Sequence, residues 1–289
     1  MREYKTASAM IAPAILVLVF LIGYPFLISV YTSLTNKQIG LPGKFIGLGN
    51  YAWLFQDELF WLVLENTAVY TVAAVIIKLI LGITLALLLF KIPRGQNVLK
   101  AAVLLPWVIP ATLSTLAWKW IFDPNFSVLN WYLKDLGLIH QNIPWLSVTF
   151  LARSVVILVN VWRGLPFFTI CLLAGLVSIP QEFYDAARVD GAGAVRRFVH
   201  ITIPLLKPIL FIVTLFSVVM TVSDFIIVHI MTKGGPLQTT HLFGTLAYQI
   251  GLAGTRIGMG AAISLFIFPI LAVSAYVLLR VVRSGEEYA

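Results

Sequence analysis

Three ionisable side chains buried in otherwise apolar stretches, Lys78, Arg163 and Asp224, carry the first chemical signal of this chain. A charge at mid-membrane costs on the order of 3 kcal/mol to insert, so such groups face a protein interior or a wet cavity. Arg163 and Asp224 fall in successive apolar runs. They are expected either to satisfy each other as an ion pair or to offer directional hydrogen bonds to the paired hydroxyls of a solute. Lys78 has a long stem and is expected to snorkel or to meet a carbonyl rather than to take part in function. Other chemistries lack their residues. A Gly-x-x-x-x-Gly-Lys-Ser/Thr phosphate cradle, a His-Glu-x-x-His zinc pair and a Gly-x-Ser-x-Gly nucleophile elbow are all absent. His140, His200, His229 and His241 show no ligand spacing, and the single Cys171 has no disulfide partner in the chain and no neighbours for a metal site. The chain does not read as an enzyme acting alone, and neither a metal nor a cofactor of its own is expected.

The elements that must position these charges are read from composition. Of 289 residues, 60% are hydrophobic and 11% charged, with a mean hydropathy of +0.95, which puts the chain in a bilayer. Spanning takes roughly 20 apolar residues as a helix, and about six such runs occur, near Ala9–Leu34, Leu62–Phe90, Ala101–Phe122, Ala152–Leu176, Leu205–Met231 and Gly258–Val282. None alternates as barrel strands do. The fold class expected is an all-α integral membrane protein, one membrane domain over 1–289 without a soluble appendage. The first run continues through Gly23-Tyr24-Pro25 to Val30 and reads as a retained anchor rather than a secretory signal.

With the N-terminus inside, Arg2, Lys5, Lys91, Arg94, Lys100, Arg188, Arg196, Arg197, Lys207, Arg280 and Arg283 all fall on the cytoplasmic side. Both termini and the Ile179–Pro204 segment are therefore expected in the cytoplasm. Inner-face cations beside anionic lipids account for the net charge of +8, so no nucleic-acid partner is implied. Trp53, Trp61, Trp118, Trp120, Trp131 and Trp145 fall near expected membrane edges and read as interfacial anchors, and Asp123–Pro144 as an ordered outer cap. A solute path with no ATP site must draw on an ion gradient, a downhill solute gradient or another subunit. No internal repeat supports an inverted-repeat secondary transporter.

Ile179–Pro204 separates these options. Pro180 suits a first helical turn, Glu182 and Asp185 complement the positive end of the dipole, and Gly191 with Gly193 supplies a terminating turn. A short helix outside the bilayer is expected, then a second around Ala194–Val199 before Pro204 opens the fifth span. Phe183, Ala186 and Ala187 would form a small apolar face; Tyr184, Asp185 and Arg188 a polar one. The segment either packs only on its own helices or docks into a partner's groove.

Asp185-Ala186-Ala187, Gly191 and Ile201-Thr202-Ile203-Pro204 resemble the EAA loop of the membrane subunits of bacterial ABC importers, with Asp in place of the usual Glu and Ile203 where Leu is common. The resemblance runs along most of the chain and points to the carbohydrate-uptake branch that includes the maltose and glycerol-3-phosphate permeases. Its pieces are Glu65-Asn66-Thr67 with Gly82, the Leu105–Pro110 run, Trp118-Lys119-Trp120, Phe122-Asp123-Pro124, the Trp162–Phe168 run, Ala174-Gly175-Leu176 and Thr232-Lys233-Gly234-Gly235-Pro236.

The resemblance implies the type I importer permease fold, with a core at about 62–282 and a coupling loop at 178–204 between the fourth and fifth core helices. It implies a second permease subunit, as a heterodimer, two cytoplasmic ATPase subunits that hold ATP and Mg, and an extracytoplasmic sugar-binding protein, in a bacterial inner membrane. Tyr184, Asp185, Ala186, Ala187, Arg188 and Gly191 would meet the ATPase. By motif alignment, sugar-contacting positions fall on Trp107, Asn160, Arg163, Gly164, Met220, Thr221 and Asp224. The mixed charges there speak against an anionic phosphate and tilt the reading towards a neutral di- or oligosaccharide, with a glycerol-3-phosphate or polyol permease as the alternative. The reading from another class is a proton-coupled secondary transporter with Asp224 as carrier; a structural membrane scaffold is a third.

Overall fold

The computed structural model describes residues 2–92 and 95–286. Arg94, counted above among the inner-face cations, lies outside the described residues, as do the side chains of Arg2, Lys5 and Arg283. The regular elements are helices, beside two isolated bridges, Thr35 to Phe45 and Gln38 to Leu41. In order they are α1 Arg2–Leu18, α2 Tyr24–Ser33, α3 Gly49–Gln56, α4 Glu58–Lys91, α5 Gln96–Val108, α6 Ala111–Ile121, α7 Val128–Asp135 and α8 Thr149–Ser178. Then follow α9 Gln181–Val189, α10 Ala194–Arg197, α11 Ile203–Val222, α12 Ile226–Met231, α13 Phe243–Tyr248, α14 Ile257–Leu265 and α15 Ile267–Glu286. Met10–Ser33, Glu58–Lys91, Thr149–Ser178, Ala194–Met231 and Ile257–Val277 are long and apolar enough to cross a membrane; α5 and α6 pass the same test together, as one bent pair.

Of the runs that read as spans, the first, third, fifth and sixth are interrupted, the sixth at Phe266 between α14 and α15. The third breaks at Ile109-Pro110, where α5 and α6 meet at 90°. Pro110 has no N–H and pushes Ile109 out of the helical region, to ψ 132°. The first run holds a wider π-helical turn, Val19–Gly23, and another, Phe198–Thr202, leads into the fifth; they stand directly before the Tyr24-Pro25 and Ile203-Pro204 pairs. A proline lacks the N–H that the α ladder needs, and at these two pairs the wider turn shifts the hydrogen-bond register ahead of it. The short helix expected at Ala194–Val199 is thereby corrected. It does not stop before Pro204 but runs through the π-helical turn into α11. The fifth run also breaks at Ser223–Phe225, where α11 ends and α12 begins; Ser and Asp here favour local backbone bonds over helix continuation.

The chain divides into two compact units, Met1–Trp61 with Leu246–Pro269, and Leu62–Thr245 with Ile270–Ala289. In the first, α14 packs on α2 and α3, and Phe266 sits among the rings of Tyr51, Phe55 and Phe60. In the second, α8 is the central rod, with α5 and α11 packed on it and α12 lying against both α6 and α8. Two apolar clusters hold this unit. One joins Phe122, Val156, Val159, Ile227 and Leu242; the other joins Ala86, Phe168, Leu172, Leu176 and Leu206. Gly82 lets α4 come onto α8, since a Cβ there would stand 2.5 Å from Phe168 Cβ.

Candidate functional site

The break in the fifth span is where the intramembrane charges gather. Thr221 is in the last turn of α11 and Asp224 lies in the break, its Oδ1 accepting the Ile227 N–H at 3.4 Å at the start of α12. Asp224 Oδ2 accepts the Tyr70 hydroxyl at 2.6 Å and the Asn160 amide at 2.9 Å. The same amide's Oδ1 accepts from Lys78 Nζ at 3.0 Å, and Lys78 also donates to Thr221 Oγ1 at 2.8 Å. Residues from α4, α8 and the α11–α12 break thus share one buried network.

Two expectations are corrected here. No ion pair joins Arg163 to Asp224; the carboxylate is taken up by Tyr70 and Asn160, and Arg163 Nε is buried with no hydrogen-bond partner among the described residues. Nor does Lys78 snorkel. It is 3% exposed and bonded to two side chains, because Gly164 leaves room for its stem: a Cβ on residue 164 would stand 2.8 Å from Lys78 Cδ.

Apart from Tyr70, the side chains of this network form one wall of a cavity of about 380 Å³. Trp107, Asn160, Arg163, Gly164, Met220, Thr221 and Asp224, the seven positions carried over by motif, all line it, brought together from α5, α8 and the end of α11. Lys78, Phe167, Phe216 and Ser217 line it as well. Phe167 stands 6.5 Å from the Trp107 ring and 4.8 Å from Phe216, centroid to centroid, which makes an aromatic wall beside the polar one. Aromatic faces beside a few fixed hydrogen-bonding groups are what a small polar solute needs. The motif reading passed over Tyr70; a tyrosine in an apolar span, whose hydroxyl must find a partner, was the available signal.

The Ile179–Pro204 segment forms its expected short helix as α9. Pro180 caps it in an extended conformation and Glu182 lies in the first turn. The helix closes with the Gly191 N–H on Arg188 O and the Ala192 N–H on Ala187 O, the paired bonds of a Schellman ending. Gly191 takes the left-handed φ of +74° that this ending requires. Asp185 and Arg188 form an exposed ion pair at 2.7 Å, and Phe183, Ala186 and Val189 are exposed. Tyr184 departs from the expected polar face. It packs on the α8–α11 cluster and its hydroxyl pairs with Thr202 Oγ1 at 3.0 Å, because half of a helix lying on a protein must turn inward.

Outside these two places, distant motif fragments meet. Asn66 donates to Gln238 O at 3.3 Å, and Arg153 bonds both Asn66 Oδ1 and, at 2.8 Å, Thr239 O, which ties the Thr232–Thr240 loop to α4 and α8. Of the tryptophans read as interfacial anchors, Trp118 stacks on Phe122 and meets Trp162 edge-on, and Trp145 donates to Asn130. Those two serve the protein's own packing, whereas Trp120 is 80% exposed.

A family model described as the inner membrane component of binding-protein-dependent transport systems matches residues 78–284, a stretch that holds the whole cavity lining and α9. The chain belongs to this family. It is a multi-pass inner-membrane permease subunit of an ABC importer. It is 34% identical over 287 residues to the trehalose/maltose transport system permease protein MalF of Thermococcus litoralis, covering 99% of this chain and 96% of that one. The sulfoquinovosyl glycerol transport system permease protein SmoG of Agrobacterium fabrum is also 34% identical, over 97% of this chain and 91% of that protein. In fold, the permease is similar to a chain of a bacterial alginate ABC transporter solved in complex with an alginate pentasaccharide-bound periplasmic protein. The TM-score is 0.81 at 22% identity, over 97% of this chain and 93% of that one.

Proposed function

We propose that this permease moves a neutral di- or oligosaccharide, handed over by an extracytoplasmic binding protein, through a path that includes the cavity at the break of the fifth span. The observation that carries the reading is the pairing of walls. Trp107, Phe167 and Phe216 offer rings for the C–H faces of a sugar, and Asn160, Arg163, Thr221 and Asp224 line the same cavity with donors and acceptors for its hydroxyls. The Asp224 carboxylate at the cavity speaks against a phosphate such as glycerol-3-phosphate, and the names of relatives that carry trehalose or maltose support a saccharide. One observation favours a second reading. The unpartnered Nε of Arg163 would suit an acidic sugar, and a sulfonated glycoside is named for one relative.

In the same reading α9 presents Asp185, Ala186, Ala187 and Arg188 to one of two cytoplasmic ATPase subunits, which hold ATP and Mg. Both termini face the cytoplasm, and a second permease subunit completes the path. The exposed Phe183, Ala186 and Val189 give α9 an apolar surface for that contact. The test is ATP hydrolysis by the reconstituted importer with its binding protein, with and without added trehalose, maltose or an acidic disaccharide. Hydrolysis stimulated by a neutral disaccharide supports the proposal; stimulation by the acidic sugar alone moves it to the second reading. Uptake driven by a proton gradient without ATP would overturn both in favour of Asp224 as a proton carrier.

A further inference from the structure

Lys78 is a cation enclosed to 3% exposure, and the proposed function gives it no task. Its ammonium spends two of three N–H donors on Asn160 Oδ1 and Thr221 Oγ1. A buried cation is tolerated only against a compensating charge, and here the compensation arrives through an amide. Asn160 accepts from Lys78 with Oδ1 and donates to Asp224 with Nδ2. Turned over, the amide would set donor against donor and acceptor against carboxylate, so the two charges fix its orientation. Tyr70, eight residues earlier on the same helix, binds the same carboxylate oxygen. α4 therefore grips the end of α11 through the Lys78–Thr221 bond and the break itself through the Tyr70–Asp224 bond.

We infer that Lys78 is the positioning residue of the cavity: through Asn160 and Thr221 it holds Asp224 and the broken end of the fifth span in register against α8. The inference rests on the reading of this cavity as a solute site. The side chains with which the solute would bond, Asn160, Thr221 and Asp224, take their orientation from a cation that is 3% exposed. Loss of that cation is expected to weaken solute affinity before it slows the transport cycle. It also makes Lys78 and Asp224 interdependent, although the network joins them through Asn160.

The test has two arms on the complete purified importer. In the first, without solute, thermal unfolding is followed for Lys78→Met, Asp224→Asn and the double variant. Each single variant leaves one buried charge uncompensated and lowers the midpoint or prevents assembly, and the double variant recovers most of the loss. Losses that add, or a double variant that fails where a single one assembles, overturn the inference. In the second, uptake of radiolabelled trehalose and maltose is measured for Lys78→Gln, which keeps a donor without the charge. The expected result is a half-saturating concentration raised about tenfold, with the maximal rate within about twofold of wild type. A reduced maximal rate at unchanged half-saturation would leave Lys78 a purely structural role and overturn the inference. If the wild-type importer takes up neither sugar, the neutral-saccharide reading fails while the solute-free arm still decides the link between Lys78 and Asp224.

Discussion

Gly164→Ala is the perturbation whose cost can be worked most directly from the structure. The added methyl carbon would lie 2.8 Å from Lys78 Cδ and 3.4 Å from Nζ. Carbon atoms pack at about 3.5–4.0 Å, so the stem must retreat by roughly 0.7 Å or more. Its head has no slack, because it is held by bonds of 3.0 and 2.8 Å to Asn160 and Thr221. A shift of that size takes at least one of them out of hydrogen-bonding range, and a bond to a charged group is worth about 1.5–3 kcal/mol. Gly82→Ala is harsher. Its methyl would sit 2.5 Å from Phe168 Cβ and 3.5 Å from backbone, atoms that move only if α4 and α8 part, so the upper part of the overpacking range, about 3 kcal/mol, applies. Gly191→Ala meets nothing within 4 Å and incurs only the left-handed backbone penalty of about 1 kcal/mol. Thermal unfolding of the purified importer should therefore rank the variants Gly82, Gly164, Gly191 in decreasing loss, and solute half-saturation should rise for Gly164→Ala beyond what its lost stability explains. A Gly164→Ala importer with wild-type stability and affinity would refute the reasoning, since the Lys78 stem would then be free to move.

Replacing Gly191 with Val puts a β-branched residue at φ +74° and should undo the Schellman ending of α9; ATP hydrolysis by the reconstituted importer is expected to lose its stimulation by the binding protein, while the complex still assembles on a gel-filtration column. Arg153→Met removes the bonds to Thr239 O and Asn66, and the Thr232–Thr240 loop should become cleavable by protease added outside, at a cost of about 1.5–3 kcal/mol per charged bond lost. Asp123 receives the Phe126 and Asn125 N–H groups on one oxygen, both at 2.9 Å, which holds its carboxyl below the usual carboxylate range. A depressed folded value means that the contribution is present above the unfolded value of about 3.9 and is lost as pH falls through the lower, folded one. Amide-exchange protection at Asn125 and Phe126, corrected for intrinsic rates, should therefore survive from pH 7 to pH 4, fall below it, and be absent at every pH in Asp123→Ala.

Spans and loops were legible because bilayer insertion writes itself as long apolar runs, and α9 because Pro180, Glu182 and Gly191 are local signals for a helix start and stop. The seven cavity residues became legible through motif alignment, which carries tertiary information that periodicity does not. What stayed hidden is what depends on partners distant in the chain. Lys78 looked like a snorkelling side chain, since nothing local to it says that Asn160, 82 residues away, supplies an acceptor and Gly164 a space. Arg163 and Asp224 looked like natural partners by charge, but the carboxylate is claimed by Tyr70 and Asn160. Tyr184 could not be assigned to a face without knowing where Thr202 would lie. The breaks were half written. Pro110 announced one, whereas Ser223–Phe225 offers only weak local preference and is fixed by the network around it.

Two of the spans that carry the cavity's polar groups, α8 and α11, are the two that α9 joins. From Gly164 to Ser178 α8 runs about 21 Å, and from Arg197 to Thr221 the continuous helix runs about 36 Å, at 1.5 Å per residue. With α9 in its proposed role, rigid helices of that length would convert its displacement into a relative tilt at the cavity, and the second lever ends at the break where Thr221 and Asp224 sit. The distances that such a tilt would change are those of the Lys78–Thr221 and Asn160–Asp224 bonds. Damage at the two ends should then separate. Gly191→Val disconnects hydrolysis from the solute by disordering the foot of both levers, and Lys78→Gln leaves the levers whole but misaligns the groups they carry. The first lowers the maximal rate of transport at unchanged solute affinity, the second lowers affinity at a nearly unchanged maximal rate, and a double variant should show both defects without compensation.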